Sequence, residues 1–350
     1  MIRVLENSKV YVYSPVDVTT GGAELLHQLV HVLNTNDIDA YIVYFDPERW
    51  IVNGEIPKPY AEYFVKTTSV IEDHVDNIIV IYEGIFNRVY ETKNAQLVLW
   101  WLSVDHFYMS LRSVLSIRDG FRWNLKFGLK QAASRFKNFI FNRKPLLSKI
   151  SIKKLATLPA LHCYQSEYAQ NYLLNKGFEE LLPLSDFINT DFLDLDSTTE
   201  IERKNKILYN PKKGFKYTKK IMESSENLTW VPLIGMTRDE LIHEFKTSKL
   251  YIDFGYHPGK DRIPREAALG GCCVLTNREG SARFFEDVSI NGDYKINTKK
   301  ENISRVVAKI NLILDNYDDL NRDFDFYRSR IIKEKELFEM QIMDIFKQNS

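Results

Sequence analysis

YIDFGYHPGKDRIPREAALGGCCVLT, residues 251–276, joins two apolar runs through a basic, glycine-containing loop. Residues 251–254 read as a buried strand, and the loop that follows holds Gly255, Pro258, Gly259, Lys260, Asp261 and Arg262. Pro264 then begins a helix, where its missing N–H costs nothing. Glu266 falls in the first turn, and Gly270 and Gly271 end the helix ahead of a second strand over 272–276. The order strand, loop, helix, strand is a building block of an α/β fold. Free N–H groups and the dipole at such a helix start favour a phosphorylated ligand, and Glu266 adds a carboxylate within reach of a sugar or ribose diol. The same residues also read as plain surface: Lys260, Arg262 and Arg265 as solvated charges, Glu266 as a complement to the dipole.

The pattern extends in both directions. Residues 10–13, 41–45, 78–82, 97–102 and 161–164 are near-continuous apolar runs, as expected for parallel strands covered on both faces. Gly21 and Gly22 open a helix, GAELLHQLVHVLN, with apolar residues at helical spacing. The composition turns acidic and polar between Ser185 and Asn205. A second α/β run follows, with strands over 206–209 and 228–232 and a capping box, Thr237 to Glu240, before the helix leading to Leu250. The expected division is a doubly wound domain over 1–185, a linker over 186–204, a second doubly wound domain over 205–325, and a C-terminal helix over 326–350 returning toward the first.

Bulk properties agree. A 350-residue chain with 44% hydrophobic content suits two α/β domains. Its net charge of zero gives no overall attraction to nucleic acid. Cys163, Cys272 and Cys273 lack metal-type spacing and read as buried thiols of a reducing compartment. The first residues, MIRVLENSKVYVYSP, are too polar for a signal peptide, and no apolar run reaches the roughly 18–20 residues a spanning helix needs. A cytoplasmic protein is expected.

The 251–276 stretch resembles the donor-binding segment of GT-B glycosyltransferases, and most closely a bacterial group that builds capsules, O-antigens and exopolysaccharides. The likeness covers most of the chain and implies two Rossmann-like domains facing a central cleft. Gly21–Gly22–Ala23–Glu24 matches the glycine-rich turn where such enzymes bring a ligand to a helix N-terminus, though a tight turn explains two glycines as well. Asp105 and His106 end the run LVLWWLSVDHF, where ligands meet open α/β sheets, and the resemblance lets either contact the donor sugar. Gln165, Ser166 and Glu167 stand at a strand-to-helix turn, with Ser166 expected as the cap. The family places an Arg and a Lys on the donor diphosphate; Lys212 and Lys213 in YNPKKG are candidates, as are Lys260 and Arg262. Residues 234–237 are expected beside the nucleobase. Gly280 and Ser281 offer a second set of backbone donors, and His257, Gly259, Asp261 and Arg265 complete the candidate donor site. Many retaining members carry two glutamates separated by seven residues. Glu266 matches the second, which holds the ribose, but Pro258 stands at the first, leaving His257 or Asp261 to substitute.

Residues 112–154 contain twelve Lys/Arg and one acid, Asp119, a net charge of +11 that leaves −11 on the rest of the neutral chain. Arg118, Arg122, Lys126 and Lys130 recur every four residues, as one helical stripe beside the apolar Phe121, Leu125, Leu129, Ala132, Phe136 and Ile140. This pattern reads as an element lying on an anionic membrane surface, with a core helix and a nucleic-acid patch as the alternatives.

Together these readings predict a glycosyltransferase moving a hexose from a nucleotide sugar to a growing, polyprenyl-linked surface glycan at the inner face of the plasma membrane, with retention of configuration. Lys260 and Arg262 would stabilise the leaving diphosphate. With retention, the leaving phosphate takes the acceptor proton; with inversion, Asp105 or His106 is the base. No metal cluster is visible, so metal-independent activity is expected. The rival is a noncatalytic subunit of the same fold that binds a partner enzyme or the membrane, favoured by Pro258. An epimerase leaves the basic segment unexplained.

Overall fold

The computed structural model describes residues 2–46, 48–142, 150–188 and 202–347. The 143–149 part of the basic segment and the 189–201 part of the expected linker lie outside the described residues. The chain falls into two compact units, one of residues 1–165, 169–185 and 338–350, the other of residues 166–168 and 186–337.

The first unit is built on β1 (Lys9–Pro15), β2 (Asp39–Asp46), β3 (Trp50–Ile51), β4 (Lys66–Thr67), β5 (Ile78–Tyr82), β6 (Gln96–Trp101), β7 (Leu161–Tyr164) and β8 (Leu181–Pro183). Their order is β3-β2-β1-β5-β6-β7-β8, with β4 beside β2; every pairing is parallel except β2 with β3. Val10, Val12, Ile78, Val80, Val98 and Leu99 are fully buried, which explains the unbroken apolar runs. Trp100 and Trp101 are buried as well. Trp100 Nε1 donates to the Leu184 carbonyl at 2.8 Å and its ring stacks on Phe338, while Trp101 Nε1 donates to His162 Nδ1 at 3.2 Å. Burial lowers His162 to a pKa of about 4, so its ring is a neutral acceptor.

The helices up to this point in the chain are α1 (Gly21–Thr35), α2 (Val104–Ser110), α3 (Ile117–Trp123), α4 (Leu125–Asn142), α5 (Ile152–Ala156) and α6 (Glu167–Leu174). The basic stripe is thus not one helix. Asn124 is extended (φ −155°, ψ 126°) and breaks it, leaving Arg118 and Arg122 on α3, and Lys126 and Lys130 on α4.

The second unit contains β9 (Lys204–Tyr209), β10 (Thr229–Pro232), β11 (Ser248–Asp253), β12 (Cys273–Asn277) and β13 (Lys295–Ile296), all parallel in the order β10-β9-β11-β12-β13. Around them lie α7 (Phe215–Glu223), α8 (Arg238–Thr247), α9 (Arg262–Leu269), α10 (Ile303–Asp315), α11 (Tyr317–Leu320), α12 (Asp325–Ile332) and the start of α13 (Glu334–Phe346). The capping box at Thr237 and Glu240 is formed in full. Helix α9 starts two residues earlier than its proline suggests. Asp261 is the N-cap and Pro264 the third helical residue, still among the N–H positions that lack an intrahelical partner. Glu266 accordingly lies beyond the first turn and does not serve the helix dipole. Gly271 has φ +92°, the left-handed conformation that lets the chain leave α9 for β12.

Candidate active site

In the second unit the sheet reverses strand order between β9 and β11, the place where open α/β sheets leave a crevice beyond their carboxyl ends. The loops after these strands meet backbone to backbone. A Cβ on Gly214 (φ +62°) would lie 2.4 Å from the Phe254 carbonyl carbon, and one on Gly255 would lie 2.4 Å from Lys213 Cβ. Only glycine at both positions allows this approach.

Three groups of candidates share this edge. Glu266 is buried and its Oε1 accepts from Arg238 Nη1 at 2.8 Å, while Arg238 remains 45% exposed. Lys213 Nζ grips Asp261 at 2.7 and 2.8 Å, and His257 Nδ1 lies 2.8 Å from the same carboxylate. Burial alone would lower His257, but the Asp261 and Asp253 carboxylates outweigh it and raise its pKa. Lys212 is exposed and has no acidic partner among the described residues.

Several expected ligand groups are instead spent inside the protein. Lys260 Nζ lies 2.9 Å from Glu334 and 3.4 Å from Asp186, with every one of these side chains about nine-tenths buried. Arg265 is 1% exposed and uses all its donors: two on Asp186 at 2.5 and 3.1 Å, one on Glu334 at 2.6 Å, and two on the carbonyls of Lys260 and Asp261 at 3.0 and 3.2 Å. It fixes the loop and meets no solvent. Arg262 stands near enough to Asp186 to help hold that carboxyl ionised. Ser281 is not a free donor either: its N–H bonds the His257 carbonyl at 2.9 Å and its hydroxyl bonds the Gly259 carbonyl at 2.5 Å. His257 is fully buried, so neither it nor the clamped Asp261 presents an open carboxylate-like acceptor in place of the one missing at Pro258.

Asp253, His257 and Asp261 have the mutual spacing of a cation site. The two carboxylates are already engaged: Asp253 accepts from the Gly255 N–H at 2.9 Å and the Tyr251 hydroxyl at 3.1 Å, and Asp261 from Lys213. With Lys213 on the trio, a divalent ion is a poor fit.

In the first unit Gly21 and Gly22 are exposed at the start of α1, capped by Thr20, whose Oγ1 accepts from the Ala23 N–H at 3.4 Å. The neighbours Asp105 and His106 part ways: Asp105 is buried, while the His106 side chain is 45% exposed. His106 Nδ1 donates to the buried Glu83 Oε1 at 2.9 Å, and Glu83 Oε2 accepts from the Leu102 N–H at 2.9 Å. This fixes the neutral ring with Nε2 as acceptor, and the Ser110 hydroxyl occupies it at 2.8 Å. The hydrogen bond to Glu83 raises the His106 pKa. A cavity of about 1120 Å³, lined by Leu97, Arg122, Lys153, His162 and Asn175 among others, lies at the opposite, amino-terminal ends of β6 and β7.

Glu83, Arg238 and Asp287 are absent from the sequence-based list. Asp287 accepts from the N–H groups of Glu167 and Tyr168 at 2.8 and 3.0 Å. Arg238 leaves a trace in sequence: an arginine at the first position of a helix opposes the dipole unless an acid pairs with it.

No protein-family model and no curated protein sequence matches the chain. Solved structures do resemble it. Sucrose-phosphate synthase from Thermosynechococcus elongatus superposes with a TM-score of 0.60 at 10% identity, covering 97% of this chain and 98% of that one. The lipopolysaccharide outer core galactosyltransferase WaaB, in its apo form, gives 0.56 at 10% identity, covering 96% and 98%. A mutant of TarM from S. aureus, in complex with Fondaparinux, alpha-GlcNAc-glycerol and UDP, gives 0.49 at 16% identity, covering 79% of this chain and 57% of that one, so the chain spans little more than half of TarM. The fold is GT-B.

Proposed function

We propose that the chain is a glycosyltransferase that moves a hexose from a nucleotide sugar to a growing, lipid-linked bacterial surface glycan. The observation that carries this reading is the buried Glu266 with Arg238 beside it, at the switch point of a GT-B sheet and with Lys212 exposed on the neighbouring loop. A ribose diol displacing part of the Arg238 contact would keep Glu266 hydrogen-bonded, and Arg238 and Lys212 would meet the diphosphate. Positive charge there is worth most as the glycosidic bond breaks and negative charge gathers on the leaving phosphate. Transfer with retention needs no protein base, since that phosphate takes the acceptor proton, and it proceeds without metal. The surface-glycan acceptor is supported by fold likeness to WaaB alone.

The test is donor binding. Thermal shift and calorimetry against UDP-, GDP-, dTDP- and CMP-sugars should identify one donor. Glu266→Ala and Lys212→Ala should each weaken it by about 1.5–3 kcal/mol, the usual worth of a charged hydrogen bond. Pro258 at the first glutamate position favours a second reading, a noncatalytic subunit of the same fold. Unaltered stability with every donor would select it.

A further inference from the structure

Helix α4 buries its polar seam and exposes its apolar one. Gln131 and Arg135 face the body of the first unit and are 0% and 7% exposed. Gln131 Nε2 donates to the carbonyls of Arg112 and Leu115 at 2.9 and 3.0 Å, and Arg135 Nη2 to those of Ser113 and Leu115 at 2.8 and 2.5 Å. At 100° per residue, Leu125, Leu129, Phe136 and Ile140 share the outward arc, and they are 66%, 56%, 62% and 52% exposed. The apolar stripe is therefore not a core face. Lys126, Lys130 and Lys137 fill the adjoining arc, exposed and without an acidic partner among the described residues. Asp119, the single acid of the segment, is buried and accepts the Ile152 N–H at 3.0 Å.

We infer that α4 docks in the plane of an anionic lipid bilayer, its outward apolar arc among the acyl chains and its lysine row on the headgroups. Apolar side chains beside a row of cations match that interface, which is apolar below and negative above. A second copy of the chain fits worse, because a two-fold contact through the same face would bring two unneutralised lysine rows together. The surface takes no part in the transfer chemistry and the inference stands apart from the donor assignment.

Vesicle co-sedimentation of the full chain tests it, with phosphatidylcholine alone or mixed with phosphatidylglycerol. Binding should require the anionic lipid and weaken with salt. Each of Lys126→Gln, Lys130→Gln and Lys137→Gln should lower the partition coefficient about fivefold, the equivalent of roughly 1 kcal/mol per charge. Leu129→Ser with Phe136→Ser should abolish binding even at low salt. These side chains are exposed, so circular dichroism and donor-induced thermal shift should match wild type in every variant. Equal binding to neutral vesicles, no binding to either, or a dimer that Leu129→Ser with Phe136→Ser dissociates would each overturn the assignment.

Discussion

Replacing Arg265 with Met should be among the costliest single changes in the second unit's charged network, and a double-mutant cycle would show why. The guanidinium carries five N–H donors and all are used, three on the carboxylates of Asp186 and Glu334 and two on backbone carbonyls of the loop. With Lys260, the buried group holds two cations and two anions. Removing Arg265 alone leaves two carboxylates sharing one ammonium, and breaking a buried pair in this way costs about 3–5 kcal/mol. At a urea m-value of about 2 kcal/mol/M, a loss of about 4 kcal/mol moves the midpoint by about 2 M. Asp186→Leu should cost a similar amount. The double variant keeps the Lys260–Glu334 pair at 2.9 Å and restores neutrality, so it should cost far less than the sum. Arg265→Lys should not rescue, because an ammonium cannot reproduce the planar fork. Burial alone would raise the Asp186 pKa, but Arg265 and Lys260 outweigh it and hold the carboxyl below its ordinary value. Its contribution is thus present above the unfolded carboxylate pKa and lost as pH falls through the folded one. Single-variant costs that add to within about 0.5 kcal/mol would refute the network. So would a Lys260→Met protein of full stability that has lost only donor affinity.

Three further outcomes are expected. Glu83→Gln removes the carboxylate that raises His106, so the ring should titrate at lower pH by NMR; an unmoved midpoint would show that Glu83 does not orient it. Burial pushes the Asp287 carboxyl up to about 6. The folded state therefore binds that proton more tightly, and the group's contribution is full below the unfolded pKa of about 4 and lost as pH rises through about 6. Relative to Asp287→Asn, wild type should lose up to about 3 kcal/mol over that window, measured by urea unfolding at stepped pH; parallel curves would dismiss the effect. Gly280→Ala places a Cβ 1.9 Å from the His257 carbonyl oxygen at φ +61°, and should cost at least about 1–3 kcal/mol, whereas an unchanged urea midpoint would mean the loop yields freely.

What the sequence disclosed was local. Residues 78–82 and 161–164 read as strands and are β5 and β7, because their apolar character answers to burial on both faces and to nothing else. The Thr237–Glu240 box spans three residues and was legible for the same reason. Partners distant in sequence were not. Glu83 is meaningful only once β5 and β6 pair and bring His106 to it, and Asp287 lies 120 residues from the Glu167 N–H it accepts from. Lys260, Arg262 and Arg265 make one basic cluster on paper, yet Arg265 and Lys260 turn inward because Asp186 and Glu334 arrive from 79 and 69 residues away from Arg265. The four-residue spacing of Arg118 to Lys130 continued through Asn124, where a single extended residue ends one helix and another begins.

The pair Gly214 and Gly255 carries a consequence for divergence. Two loops held at van der Waals distance by their main chains form one lip, and neither can be lengthened or re-aimed without displacing the other. Change at this edge of the scaffold is then open chiefly through side-chain replacement at positions flanking the lip, such as Lys212 and the half-exposed Tyr256. Insertions should accumulate elsewhere, so a library aimed at altering the proposed donor site would be better spent on residue identity there than on loop length.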